Sequence, residues 1–134
     1  MKKYFIISAC VTATVLFSFS CKKGPGQGGR ASIKGKVYTV NYNSAMTAAI
    51  DSGYLGGQKV YIIYGDENSV GDNQDTKNDG TFEFTYLRKG KYTVYTYSKT
   101  QPNHLDSAAV QSVEISDKKE VKELPDFKIK TNKN

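Results

Sequence analysis

The chain has 134 residues, of which 38% are hydrophobic, 24% charged and 12% aromatic, a balance that fits one globular domain and excludes a disordered chain. One His, two Cys and no Trp exclude His-rich zinc sites, His-pair acid–base chemistry and a disulfide scaffold. The formal charge of +6 is spread along the chain without a basic stripe interleaved with exposed aromatics, which argues against nucleic acid as a partner.

The chain opens with a short basic stretch, Met1-Lys2-Lys3, followed by an uncharged run from Tyr4 to Phe19 rich in Ile, Val, Ala, Leu and Phe. That run has the length of a secretion signal and falls short of the roughly 20 apolar residues of a membrane span. It ends at Phe17-Ser18-Phe19-Ser20-Cys21, followed by Lys22-Lys23-Gly24. A small residue before Cys at this boundary resembles the lipobox of bacterial lipoproteins, in the relaxed form found in the Bacteroidetes. The resemblance implies residues 1–20 as a lipoprotein signal peptide, with Cys21 as the lipidated residue bearing palmitate-type chains. The other reading is an ordinary signal peptide with a chance Cys. Cys10 lies inside the apolar run, so processing would leave Cys21 as a lone thiol in an oxidising compartment, a liability that acylation removes. One chain anchors marginally, and two or more hold firmly. Some Bacteroidetes lipoproteins carry acidic residues just after the Cys as a surface-export signal. Here Lys22 and Lys23 stand there instead, which by that resemblance implies retention at the outer membrane, facing the periplasm. These two lysines also suit anionic headgroups.

The processed chain would carry 17 basic and 13 acidic residues, a net +4. Residues 21–30 read as the lipidated Cys and a flexible tether, because Gly24-Pro25-Gly26-Gln27-Gly28-Gly29 has little to pack; its reach would be about 15 Å. Residues 31–130 read as one all-β domain. In Ala31–Val40, Ile33, Gly35, Val37 and Thr39 share one parity and Lys34, Lys36 and Tyr38 the other. In Gln58–Tyr64, Val60, Ile62 and Tyr64 alternate with Lys59, Tyr61 and Ile63. Thr81–Tyr86 groups Phe82, Phe84 and Tyr86. Lys91–Ser98 groups Tyr92, Val94 and Thr96 against Thr93, Tyr95 and Tyr97. Val110–Ile115 and Val121–Ile129 complete the set, and Pro125 places the last strand after it or at an edge. Six or seven short strands with apolar faces imply a two-sheet sandwich.

Asp79-Gly80 and Lys89-Gly90 are the sharpest turn signals. Around them, Thr76-Lys77-Asn78-Asp79-Gly80-Thr81-Phe82-Glu83-Phe84 and Leu87-Arg88-Lys89-Gly90-Lys91-Tyr92-Thr93-Val94 resemble the "T-x-x-D-G-x-F-x-F…L-x-x-G-x-Y-x-V" signature of carboxypeptidase-regulatory-like and Cna-B-type domains. Ile33-Lys34-Gly35-Lys36-Val37 resembles their opening strand, and Gly57-Gln58-Lys59-Val60-Tyr61-Ile62 their second. The resemblance implies a seven-stranded, prealbumin-like (transthyretin-like) Greek-key β-sandwich with Leu87 and Tyr92 in its core. It carries almost no information on activity. The 5-hydroxyisourate hydrolases of the transthyretin-like group use several His and an Arg, which one His cannot supply.

Two stretches depart from that signature. In residues 41–56, Met46, Ala49 and Ile50 are spaced for one face of a short helix capped by Asn43 or Ser44. This insertion either packs over a sheet edge or forms a contact surface with Tyr42, Tyr54 and Leu55 as anchors. The second stretch, from Asp66 to Asp79, is acidic, and Asp66, Asp72, Asp75 and Asp79 offer hard oxygen ligands for Ca²⁺. The EF-hand spacing fails, and Asp and Asn also favour turns for backbone reasons alone. His104 reads as a surface residue, because Asp106 and Ser107 are neighbours in one loop and no nucleophile-elbow motif is present.

Tyr61, Tyr95 and Tyr97 lie opposite the core parity and predict an aromatic patch on a sheet face, suited to sugar rings or a protein surface; the plainer reading is that Tyr simply suits strands. The function expected is therefore a non-catalytic, membrane-anchored binding or scaffolding module of the cell envelope, contacting protein or glycan. The alternatives are a calcium-stabilised structural domain and a small hydrolase using the acidic-loop carboxylates. A homodimer through edge-strand pairing is also open, discouraged at one edge by Lys118, Lys119 and Lys122.

Overall fold

The computed structural model describes residues 23–100 and 105–133; Cys21, the leader before it and His104 lie outside the described residues. The strands in chain order are β1 (Gln27–Tyr42), β2 (Ala49–Tyr54), β3 (Lys59–Tyr64), β4 (Asp72–Asp75), β5 (Thr81–Leu87), β6 (Gly90–Lys99), β7 (Asp106–Ile115), β8 (Val121–Glu123) and β9 (Phe127–Asn132). They form an all-β sandwich of one five-stranded and one four-stranded sheet.

The long β1 is the spine of the first sheet. Its early half pairs antiparallel with β5 and parallel with β8; its later half pairs antiparallel with β2 and parallel with β9. Val37 sits at the changeover, donating its N–H to the Gly80 carbonyl and accepting from the Leu55 N–H, both at 2.9 Å. The second sheet is antiparallel throughout, in the order β4-β3-β6-β7.

The parity sets meet between the sheets. Ile33, Val37, Phe82, Phe84, Phe127 and Ile129 face Val60, Ile62, Tyr92, Val94 and Ile115 in one buried cluster. Burial of each large side chain contributes about 1.5–3 kcal/mol relative to exposure. Leu87 and Tyr92 are core residues, as the signature implied. The buried Thr96 hydroxyl donates to the Lys59 carbonyl at 2.8 Å and accepts from Gln58 Nε2 at 2.9 Å, so its polarity is met.

Four expectations are corrected. Nine strands replace seven, because β4 and β8 are short pieces recruited by pairing with β3 and β1 rather than by an alternation of their own. Residues 41–56 form a β-hairpin, not a capped helix: Tyr38 to Tyr42 pair with Tyr54 back to Ala49. Asn43 caps the turn instead, its Oδ1 accepting from the Thr47 and Ala48 N–H groups at 2.8 and 3.2 Å, while Met46 is buried and Ile50 exposed. Tyr86 leaves the core parity of Phe82 and Phe84. It takes a φ of 58° and lies 72% exposed, and the slip turns Leu87 inward.

The fourth correction concerns the Gly-rich stretch. β1 begins at Gln27 instead of Ala31, and the residues ahead of it are held by backbone contacts. Arg88 donates its N–H to the Gly26 carbonyl at 2.8 Å and its Nε–H to the Gly24 carbonyl at 2.7 Å, and its guanidinium also reaches the Gln27 carbonyl. A Cβ on Gly29 would lie 1.9 Å from the Leu87 carbonyl oxygen, so only glycine lets the strands approach this closely.

Candidate functional site

The outward parity of the second sheet carries the three expected tyrosines. Tyr61 on β3 is directly opposite Tyr95 on β6, so both point away from the core at the same level. Their rings stack with centroids 5.0 Å apart and planes 15° apart. Tyr97, two residues along β6, stands edge-on to both, at 5.8 Å from Tyr61 and 5.7 Å from Tyr95. Tyr61 and Tyr95 are half-buried by this mutual packing, and Tyr97 is 42% exposed. Burial, and then the neighbouring Tyr97 and Tyr61, push the Tyr95 hydroxyl above the usual tyrosine range.

Register extends the patch beyond the tyrosines. Val110 lies opposite Tyr95 and Ala108 opposite Tyr97, both exposed. On the other flank Asn73 lies opposite Tyr61, and Lys59 opposite Asp75. Lys59 Nζ binds Asp75 Oδ1 at 2.9 Å and Asn73 Oδ1 at 3.3 Å, and the Asp75 contact raises the Lys59 pKa. The face is therefore an aromatic and aliphatic strip rimmed on one side by a carboxylate, an amide and an ammonium. Sequence reasoning missed Asn73, Val110 and the Lys59–Asp75 pair. Strand parity was readable, but the register that places β4 and β7 beside the tyrosines was not.

The residues proposed from the 41–56 insertion each have their own contacts. Tyr42 lies under Lys130 Nζ, 5.6 Å from the ring centroid. Tyr54 packs edge-on against Tyr38 at 5.4 Å, lies under Lys36, and donates to Asp126 Oδ2 at 2.9 Å, which raises its pKa. Leu55 packs against the core.

The acidic stretch is likewise divided. Asp72 and Asp75 take opposite faces of β4; Asp72 accepts from Gln27 Nε2 at 3.3 Å and Asp75 pairs with Lys59. Asp79 turns back on its own strand, accepting from the Thr81 N–H and hydroxyl at 3.1 and 2.6 Å, which lowers its pKa. Asp66 is exposed in the loop between β3 and β4. Among the described residues no group of three or more His, Cys, Asp or Glu converges as a metal site.

No family model matches the chain, and no curated protein matches it. Among solved structures, the crystal structure of a candidate carbohydrate-binding protein from Pseudomonas aeruginosa is similar at 15% identity over 80% of this chain and 90% of that one, with a TM-score of 0.42.

Proposed function

We propose that the protein is a non-catalytic binding module of the cell envelope, anchored through Cys21 and taking a glycan on the face of Tyr61, Tyr95 and Tyr97. The observation that carries this reading is the tyrosine cluster itself. Three aromatic rings pack on the solvent side of β3 and β6, beside an apolar strip and a polar rim. Sugar rings present apolar C–H faces with hydroxyls at their edges, and such a strip offers ring surface for the first and donors and acceptors for the second. The kinship with carboxypeptidase-regulatory-like and Cna-B-type domains, and with it a prealbumin-like topology, is supported by the burial of Leu87 and Tyr92 and by the positive φ of Gly80 and Gly90 at the two turns of the signature.

The anchor is supported by the Ser20-Cys21 boundary after an apolar leader. Its test is the intact mass of the protein from its own membranes: a diacylated chain starting at Cys21 is expected, and an unmodified chain overturns it. The glycan reading is tested on an array of envelope glycans, with selective capture expected from the wild type and lost in Tyr95→Ala/Tyr97→Ala.

A further inference from the structure

A concavity of about 510 Å³ opens at the end of the sandwich where the chain enters the fold. Its walls carry Lys23, Arg30, Arg88, Lys89, Lys118 and Lys119, brought together from the segment ahead of β1, from β1, from the β5–β6 turn and from the β7–β8 turn. Among the described residues no carboxylate lines it. Lys34, Lys59, Lys99, Lys122 and Lys133 are each in an ion pair. Among the described residues the side chains of Lys23, Arg30, Lys89, Lys118 and Lys119 are in no ion pair, and Arg88 spends its guanidinium on the Gly24 and Gln27 carbonyls, which leave its charge uncompensated. Among the described residues Lys36, Lys77, Lys91, Lys128 and Lys130 are also in no ion pair, but only here do six cations from four segments line one concavity.

This end is also the one nearest the anchor. Cys21 is three residues ahead of Gly24, whose carbonyl Arg88 holds, so at most about 11 Å of extended chain separates them. We propose that this groove docks onto the headgroup phosphates of anionic phospholipids in the membrane that holds Cys21. The charge complementarity and the chain length both point to that occupant, and the membrane assignment rests on the lipidated reading above. Docking there stands the sandwich on end. Tyr95 and Tyr97 are five and seven residues up β6 from Gly90, which lifts the tyrosine face about 15–25 Å along the strand from the groove and leaves it clear of the headgroups.

Residues 22–134 contain every strand and core residue described, so this segment is the unlipidated probe. It is co-sedimented with vesicles of phosphatidylcholine alone or mixed with phosphatidylglycerol. Binding to the mixed vesicles only, weakened by salt, is expected. Lys89→Gln/Lys118→Gln/Lys119→Gln, whose side chains make no hydrogen bond or ion pair with the described residues, should fold normally and bind about a hundredfold more weakly, at about fivefold per charge. Tyr95→Ala/Tyr97→Ala should bind as the wild type. Equal binding to both vesicles, no binding, or an unaffected triple variant overturns the proposal. Release by low concentrations of inorganic phosphate would also overturn it, assigning the groove to a soluble anion. Because the probe lacks an acyl chain, its behaviour is independent of whether Cys21 is modified.

Discussion

The Tyr92 hydroxyl, buried in the core, accepts the Gly26 N–H at 2.9 Å, joining β6 to a segment 66 residues earlier in the chain. The same hydroxyl donates to the Arg88 carbonyl at 2.6 Å, so one side chain closes the β5–β6 turn and fastens the entering chain to it. A stretch with the composition of a loose tether thereby becomes part of the domain.

Tyr92→Phe keeps the ring against Tyr64, with which it packs edge-on at 5.9 Å, and removes only the hydroxyl. The Gly26 N–H is then left without its partner in a buried setting. The expected loss is about 1–3 kcal/mol, read from the denaturant midpoint. Hydrogen exchange should quicken at residues 24–30 more than in β3.

The glycines divide cleanly. Gly29→Ala places a methyl 1.9 Å from the Leu87 carbonyl oxygen and should destabilise by about 3 kcal/mol or more. Gly53→Ala meets nothing within 4 Å and has no positive φ, so it should be neutral or stabilise by about 0.4–1 kcal/mol. Thermal melts of the two variants decide this.

Burial raises the Tyr64 and Tyr92 hydroxyls above the ordinary tyrosine value. In the unfolded chain these groups lose their protons near pH 10, and in the folded protein only at higher pH. Between those values the folded state binds more protons, so stability falls as pH rises. Melting temperature should therefore be insensitive to these groups below about pH 10 and decline above it. The decline should be smaller in Tyr92→Phe. An identical alkaline decline in both proteins would contradict the assignment.

Much of the fold was legible because inward and outward residues alternate on the central strands. Ile33, Val37, Val60, Ile62, Phe82, Phe84, Tyr92 and Val94 are all buried. The tyrosine patch followed from the same parity. What was not legible lacks such alternation. Ala49 and Ile50 of β2 are exposed, so their spacing from Met46 fits a helix as well as a hairpin. Asp72 to Asp75 read as a loop because β4 owes its place to hydrogen bonds with β3, not to apolar side chains. Tyr86 is displaced by a single positive φ, which the chain composition does not announce. The docking of Gly24 to Gly29 depends on backbone carbonyls that every residue carries and on the reach of one arginine.

The central claim is that Tyr61, Tyr95 and Tyr97 form a sugar-binding face. Saturation-transfer NMR tests it most directly, with protein resonances irradiated in the presence of soluble oligosaccharides released from the envelope glycan. The account predicts transfer to sugar ring C–H protons from the wild type and little from Tyr95→Ala/Tyr97→Ala. Transfer of equal strength from both proteins, or none from the wild type, would contradict it.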